Sequence, residues 1–301
     1  MKHIFIVNPI SGKGRSVNLI PIINDYFHGN SDNYEIIVTE KPKDATAIAA
    51  RYTKDDDVVI YSVGGDGTAN EILNGLNPGV TMCVIPGGTG NDFYKSVDKR
   101  KLSDEEMIRE LVEGENIEID YGVFDGTRKF MNVSSFGLDA DINVYACDVL
   151  KVKYKIPGKL VYAIAALLVG TKPKDIAMKV SIDGVEYDRT CVIAVISNGV
   201  CYGGTFYPTP DSKFDDGLFD VLLVNGPIAR GRFLQLMAKY VKGRHVGEKE
   251  IEIVHGRHIH FQFDHPVNCQ IDGENTRMTE ADIEIVPRGL SVRVPRRRNV
   301  W

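Results

Sequence analysis

Three glycine-rich segments and two acidic turns hold the side chains of this chain that could do chemistry. The segments read Asn8-Pro9-Ile10-Ser11-Gly12-Lys13-Gly14-Arg15, Gly64-Gly65-Asp66-Gly67-Thr68-Ala69-Asn70-Glu71 and Pro86-Gly87-Gly88-Thr89-Gly90-Asn91-Asp92. Glycine lets a backbone approach a phosphate closely, and the exposed N–H groups at a helix start attract its charge. One such segment could be no more than a tight turn. Three of them, each adding Ser, Thr, Asn or Asp and few bulky side chains, describe a polyphosphate cradle. Lys13 and Arg15 suit phosphate oxygens in a loose, charge-spreading transition state, and equally suit a solvated helix start. The acidic turns are Lys213-Phe214-Asp215-Asp216-Gly217-Leu218-Phe219-Asp220 and Asp272-Gly273-Glu274. Their carboxylates could hold a cation or take a proton, but Asp-Gly is also ordinary turn chemistry.

Other nucleotide-binding patterns do not fit. G-x-x-x-x-G-K-[ST] would need glycine where Val7 stands, and G-x-G-x-x-G fails because Asn70 occupies the third glycine position. The protein-kinase signature set is missing as well.

The elements that must position these residues follow from hydrophobic patterning. Residues 3–7, 34–38, 58–63 and 81–85 read as strands apolar on both faces, with helical stretches at 16–28, 43–53 and 68–76 between them. That alternation predicts a three-layer α/β domain with a mostly parallel sheet. Ligands of such sheets bind at the carboxyl ends of the strands, where all three glycine segments fall. Beyond residue 120 the pattern changes. Asp125-Gly126 and Asp183-Gly184 separate β-like segments, a strong hairpin signal. Strands are predicted at 118–124, 129–135, 176–182, 190–197, 219–224, 250–254, 257–263, 267–271 and 281–286, with helical stretches at 138–170 and 228–242. The expected organisation is an α/β domain over 1–120 and a mostly antiparallel β domain over 121–301, with a last strand that could return to the first domain.

Composition excludes several classes. The chain has 301 residues, 36 Lys+Arg against 41 Asp+Glu, and 43% hydrophobic residues. A net charge of -5 argues against a nucleic-acid partner, whose phosphates need clustered cations. Five cysteines, widely spread and without a C-x-x-C pair, fit a reducing compartment better than a disulfide scaffold. The first residues turn polar too soon for a signal peptide. The longest apolar run, 160–169, is half of what a spanning helix needs. A cytoplasmic protein is expected, with peripheral contact at the inner membrane face left open. For that contact the candidate is 149–174, which has no acidic residue but carries Lys151, Lys153, Lys155, Lys159, Lys172 and Lys174. It suits an anionic membrane surface, or a core helix with lysines reaching water from its ends. His255, His258, His260 and His265 cluster on one β ribbon, with His258 and His260 on one face by strand alternation. A metal there would need a third ligand, which the sequence does not require, so an exposed titrating strand is the reading.

The order N-P-x-S-G, G-G-D-G-T-x-N-E, P-x-G-T-x-N-D resembles the diacylglycerol-kinase-type catalytic domain of bacterial lipid kinases, a group with sphingosine kinases among its relatives. G-G-D-G-T alone also occurs in NAD kinases; Ala69-Asn70-Glu71 and the third segment favour the lipid-kinase branch. The resemblance covers nearly the whole chain. It implies an α/β nucleotide-binding domain followed by an antiparallel β-sandwich domain, with the active site in the cleft between them. It implies that Asn8, Pro9, Ser11, Gly12, Thr39, Gly65, Asp66, Gly67, Thr68, Glu71 and Thr89 line an ATP site. In the resembling enzymes a K-x-D-D-G-x turn binds Mg²⁺ through one carboxylate and two carbonyls, which maps onto Asp216 and the carbonyls of Lys213 and Leu218. The glutamate of D-G-E is their proposed general base and maps onto Glu274. A catalytic Mg²⁺ near Asp66, Asp92 or Asp216 is also expected. The implied activity is transfer of the γ-phosphoryl of ATP to the hydroxyl of diacylglycerol or a related lipid. A kinase for a soluble substrate such as NAD, and a nucleotide-binding regulator without catalysis, are the alternatives.

Overall fold

Four short strands open the chain: β1 (Lys2–Val7), β2 (Tyr34–Val38), β3 (Val58–Gly64) and β4 (Thr81–Pro86). In the computed structural model β1 pairs in parallel with β2 and β3, and β3 with β4. The helices α1 (Arg15–Tyr26), α2 (Asp44–Ala49), α3 (Asp66–Gly75), α4 (Asp92–Val97) and α5 (Asp104–Val112) lie between and after the strands. Phe5, Val7, Tyr61, Val63, Cys83 and Ile85 pack with Leu19 and Ile23 of α1 and Ile108 and Leu111 of α5. The alternate residues Ile4, Ile6, Ile60 and Met82 are fully buried too. Burial on both faces is why these strands read as continuous apolar runs rather than alternating ones. β2 is the edge strand, and its Val38 is accordingly exposed. α5, which the strand–helix alternation above does not include, starts at a capping box of Ser103 with Glu106, carried in the sequence by Ser-Asp-Glu-Glu.

The structure describes residues 1–29, 33–151, 158–170, 174–204 and 206–296. They form two units, one of residues 1–121 with the chain from 286 onward, the other of residues 122–285. The chain leaves the first unit along β5 (Glu115–Phe124) and re-enters it along β13 (Glu274–Val294). At that return Val292 pairs in parallel with Met82, and the Arg293 guanidinium donates to the carbonyls of Leu111 and Val112 at the end of α5.

The second unit is antiparallel and β-rich. Its strands are β6 (Arg128–Phe130), β7 (Val133–Gly137), β8 (Ile176–Ile182), β9 (Val185–Ser197), β10 (Phe219–Asn225), β11 (Ile251–Gly256) and β12 (His258–Ile271), completed by the first part of β13. β9 pairs with β7, β8 and β10, and β12 with β7, β8 and β13. Phe124, Phe130, Phe136, Phe219, Phe261 and Phe263 fill its core. Two two-residue turns, Asp183-Gly184 and Asp272-Gly273, and the three-residue turn Asp125-Gly126-Thr127 each hold their Asp and Gly at positive φ, which favours the twist of a hairpin.

The single helical stretch expected over 138–170 is instead α6 (Leu138–Val144), a π-helical turn (Tyr145–Lys151) and α7 (Gly158–Gly170). Pro157, just ahead of α7, has no N–H to donate into a helix. Lys153, Lys155 and Lys172 of the basic segment lie outside the described residues. On α7, Leu167 and Leu168 are exposed. The second predicted helix is α8 (Arg230–Tyr240). Among the described residues, no helix is long and apolar enough to cross a membrane.

Candidate functional site: a three-loop cradle and two acidic turns

The parallel register fixes where the glycine segments begin. Val7 stands opposite Val38 and Val63, and Gly64 opposite Pro86, so the chain leaves β1, β2, β3 and β4 at one sheet edge. Asn8, Thr39, Gly65 and Gly87 are the first residues past those ends. Asn8 Nδ2 donates to Thr68 Oγ1 at 3.1 Å, joining the first loop to α3. Thr39 is buried, and its N–H donates to the Val7 carbonyl at 2.9 Å.

The loops also touch through their glycines. A Cβ on Gly12, which sits at φ +58°, would lie 2.2 Å from the Gly87 carbonyl oxygen, and one on Gly88 would lie 2.3 Å from Gly65 Cα. Only a residue without a side chain permits either approach. Asp66 fastens the second loop to the third: Oδ2 accepts from Asn91 N and Oδ1 from Asp92 N, both at 2.7 Å. Burial pushes the Asp66 carboxyl up from its usual range, and the two amides pull against that shift. Asn91 closes the third loop on itself, accepting from Gly88 N and donating to Gly88 O, each at 3.0 Å.

Gly67, Thr89 and Lys13 are exposed, Pro9, Ser11 and Glu71 are half-buried, and Asp92 is buried. Arg15 is committed elsewhere, to Asp104 at the start of α5, at 2.9 Å. What the cradle offers is glycine backbone at the start of α3, whose first turn carries the positive end of the helix dipole. A cavity of about 540 Å³ lined by Met1, His3, Tyr26, Phe27, Asn33 and Val112 shares no residue with it.

The acidic turns belong to the second unit. Lys213 and Asp216 are exposed. Asp216 Oδ1 accepts from Leu218 N at 3.1 Å, with Gly217 at φ +74° turning the chain into β10. Behind it, Asp220 is held by Ser212 and by His255 Nδ1 at 2.7 Å; burial pushes its carboxyl up. In the other turn the two carboxylates divide the work. Asp272 accepts three backbone N–H groups, Met131 at 2.8 Å and Asn132 and Val133 at 3.0 Å. Glu274, the first residue of β13, projects outward with its side chain 56% exposed and pairs with Arg128 at 2.7 Å. Gln270 accepts from Gly273 N at 2.8 Å and Asn143 donates to Gly273 O at 2.9 Å, so the turn is braced from both sides.

The sequence carried no sign of Arg128 or Asn143, which meet the turn from 146 and 130 residues away, nor of Gln270, which braces it from three residues before Gly273. It also hid a buried acid. Asp139 accepts from Ser135 and, at 2.5 Å, from the Tyr202 hydroxyl; burial pushes its carboxyl up.

The chain matches the family model described as diacylglycerol kinase catalytic domain over residues 2–124, and that described as YegS C-terminal NAD kinase beta sandwich-like domain over residues 132–294. A diacylglycerol kinase of Mycobacterium tuberculosis is 27% identical over 299 residues, covering 97% of this chain and 94% of that protein. One of Bacillus subtilis is 23% identical, covering 97% and 96%. In fold, the chain resembles a solved diacylglycerol kinase of Bacillus anthracis (TM-score 0.69, 20% identity, covering 97% and 96%). It also resembles, more distantly, an NAD kinase of Archaeoglobus fulgidus in complex with ATP (TM-score 0.54, 15% identity, covering 97% and 94%).

Proposed function

Because the chain belongs to the diacylglycerol-kinase-type family of bacterial lipid kinases, we propose that it transfers the γ-phosphoryl of ATP to the hydroxyl of diacylglycerol or a related lipid. One observation carries the ATP half of this reading: three glycine loops and the end of β2 meet at one sheet edge, with Gly12 and Gly88 letting backbones approach as no other residue could. Relatives named diacylglycerol kinase over nearly the full chain supply the lipid half.

In this reading Asn8, Ser11, Thr39, Thr68 and Thr89 offer hydroxyl, amide and backbone groups to the nucleotide, and Gly65 and Gly67 admit its phosphates. Lys13 and Arg15 stand beside them, Arg15 on leaving Asp104. Glu274 takes the proton of the acceptor hydroxyl. The hydroxyl oxygen then bonds to the γ-phosphorus as the bond to the β–γ bridging oxygen breaks and ADP leaves. Arg128 holds the Glu274 carboxylate in place until substrate displaces it.

The Lys213–Leu218 stretch suits Mg²⁺ by its donors, an exposed carboxylate at Asp216 and main-chain carbonyls in a glycine turn, all hard oxygens. When bound, Mg²⁺ would supply positive charge to oppose that of the phosphate oxygens. Asp66 is a poorer candidate ligand than Asp216 or Asp92, since both its oxygens already accept backbone N–H groups.

The test is incubation with labelled ATP, Mg²⁺ and mixed micelles of diacylglycerol, phosphatidylglycerol or sphingosine, followed by lipid separation. Label in one lipid is expected; folded protein that labels none overturns the proposal. NAD belongs in the same panel, because the resemblance to an ATP-bound NAD kinase fold makes a soluble acceptor the second reading.

A further inference from the structure

On the outer face of β12 and β13 lies a polar quartet that the kinase reading does not use. Ile259, Phe261, Ala281 and Ile283 turn into the core, so the residues between them turn to solvent. In the antiparallel register His258 stands opposite Glu284 and His260 opposite Asp282. His258 Nε2 lies 2.9 Å from Asp282 Oδ2, and His260 Nδ1 lies 3.3 Å from the same oxygen. Ligand atoms of His258, Asp282 and Glu284 all fall within 4.8 Å of one another.

We propose that this ladder, with His258 and His260 on one strand and Asp282 and Glu284 on the other, is a binding site for a borderline-soft divalent metal of the Zn²⁺ or Ni²⁺ type. Two imidazoles and two carboxylates form an N₂O₂ set whose two negative charges balance the ion. Imidazole selects such metals, whereas Mg²⁺ prefers an all-oxygen shell. The site is therefore chemically distinct from any magnesium the kinase would use, and the inference does not rest on the kinase reading.

Two further features fit a ligand set better than a chance row of ion pairs. The first is an outer partner. His260 has Nδ1 toward Asp282 and Nε2 toward Glu280, 3.2 Å away. A metal-ligating histidine characteristically gives its other ring nitrogen to a carboxylate, which fixes tautomer and ring orientation. The second is a held backbone. Asp282 N donates to Asp125 Oδ1 at 2.9 Å, and His258 N to Asp183 Oδ1 at 2.9 Å. Both acceptors are hairpin-turn aspartates, so two of the four ligand residues are pinned from outside the ladder. Ligand atoms about 2.0–2.2 Å from a tetrahedral metal lie roughly 3.4 Å apart. His258, Asp282 and Glu284 must close in from within 4.8 Å by up to about 1.4 Å, and His260 must swing toward them from its place beside Asp282, which side chains on a solvent face can supply by rotation.

The test is calorimetric titration of the full-length untagged protein at neutral pH with ZnCl₂ and with NiCl₂, alone and in a large excess of Mg²⁺. One equivalent bound is expected, undisturbed by Mg²⁺. Losing an outer partner of a metal site already costs about 10–100-fold in affinity, so His258→Ala and His260→Ala should each weaken binding at least about tenfold, and Glu280→Gln measurably. Metal-free melting temperatures check that the variants fold, with Asp282→Asn as a second probe should a histidine variant fail. No binding by the parent would overturn the proposal. So would affinity unchanged in the double histidine variant, or binding that disappears only on Cys147→Ser, Cys147 being the one free cysteine that is not fully buried.

Discussion

Replacing Asp66 by Asn tests whether the cradle is held together by its own charge. The carboxylate accepts two N–H groups at 2.7 Å, one from Asn91 and one from Asp92. Bonds to a charged acceptor contribute about 1.5–3 kcal/mol each. Asparagine keeps one acceptor and points an N–H₂ at the other amide, so one bond becomes a donor facing a donor. Burial of the charge offsets part of this, which places the expected loss near the lower end, about 2 kcal/mol. For a unit of this size that lowers the melting temperature by roughly 4–8 °C. The third loop, released from the second, should also bind nucleotide less tightly, so KM for ATP rises along with the loss of stability. Gly88→Ala reaches the same end without touching charge: its methyl would meet Gly65 Cα at 2.3 Å, forcing the loops apart at about 1–3 kcal/mol. Urea unfolding and steady-state kinetics on both variants decide. An Asn variant with the parent's stability and ATP KM but collapsed kcat would refute the latch and place Asp66 in the chemistry itself.

Three further outcomes are expected. Glu274→Gln should lower kcat by about 10²–10⁴ with melting temperature nearly unchanged, because the side chain is mostly exposed; early melting with kcat retained would make it a turn residue. Asp272→Ala should do the reverse, costing the second unit about 3 kcal/mol or more as three amides lose their acceptor, and an unchanged melting curve would count against that role. His3 is buried against Tyr61 and Phe27, and burial, with Arg293 and the N-terminal ammonium nearby, pushes its imidazole down to about 4. The folded state therefore binds this proton less well than the unfolded chain, so stability is full above pH ~6.5 and falls by about 3 kcal/mol as pH drops toward 4. Unfolding free energies across that range should be flatter in His3→Asn, and parallel curves would remove His3 as the cause.

The first unit was legible because its strands are apolar on both faces and its punctuation is glycine. The strand at 34–38 has the limits its pattern gave, and the other three differ by a residue at an end. Legibility failed in two helical stretches. The sequence marks α5 both by a capping box and by the helical spacing of Met107, Ile108, Leu111 and Val112, a signal confined to nine residues, and the 138–170 stretch reads as continuous because Leu138, Ile142, Ala146 and Leu150 keep a four-residue apolar spacing through the π-helical turn. In the second unit 129–135 read as one strand, but the chain breaks between Phe130 and Val133, where three successive amides turn onto Asp272. That partner is about 140 residues away, and nothing nearby encodes it.

The same limit explains why the acidic turns could be found but not apportioned. Three of the five Asp-Gly pairs close hairpins and look alike in sequence, and in all three the aspartate does one job. Asp125 accepts from Asp282 N, Asp183 from Arg257 N and His258 N, and Asp272 from the amides of 131–133. A hairpin turn at positive φ swings its first side chain back over the neighbouring strand, where a short carboxylate meets main-chain donors. Aspartates in such turns are spent on architecture. A carboxylate free to take a proton has to come one residue later, at the first strand position, longer by a methylene and directed outward. Of the three turns, only Asp272-Gly273 is followed by such a residue that also meets a cation, Glu274 with Arg128. Val185 opens the strand after Asp183-Gly184, and Arg128 the strand after Asp125-Gly126-Thr127. Position after the turn, rather than acidity of the turn, is what separates the candidate base from its neighbours.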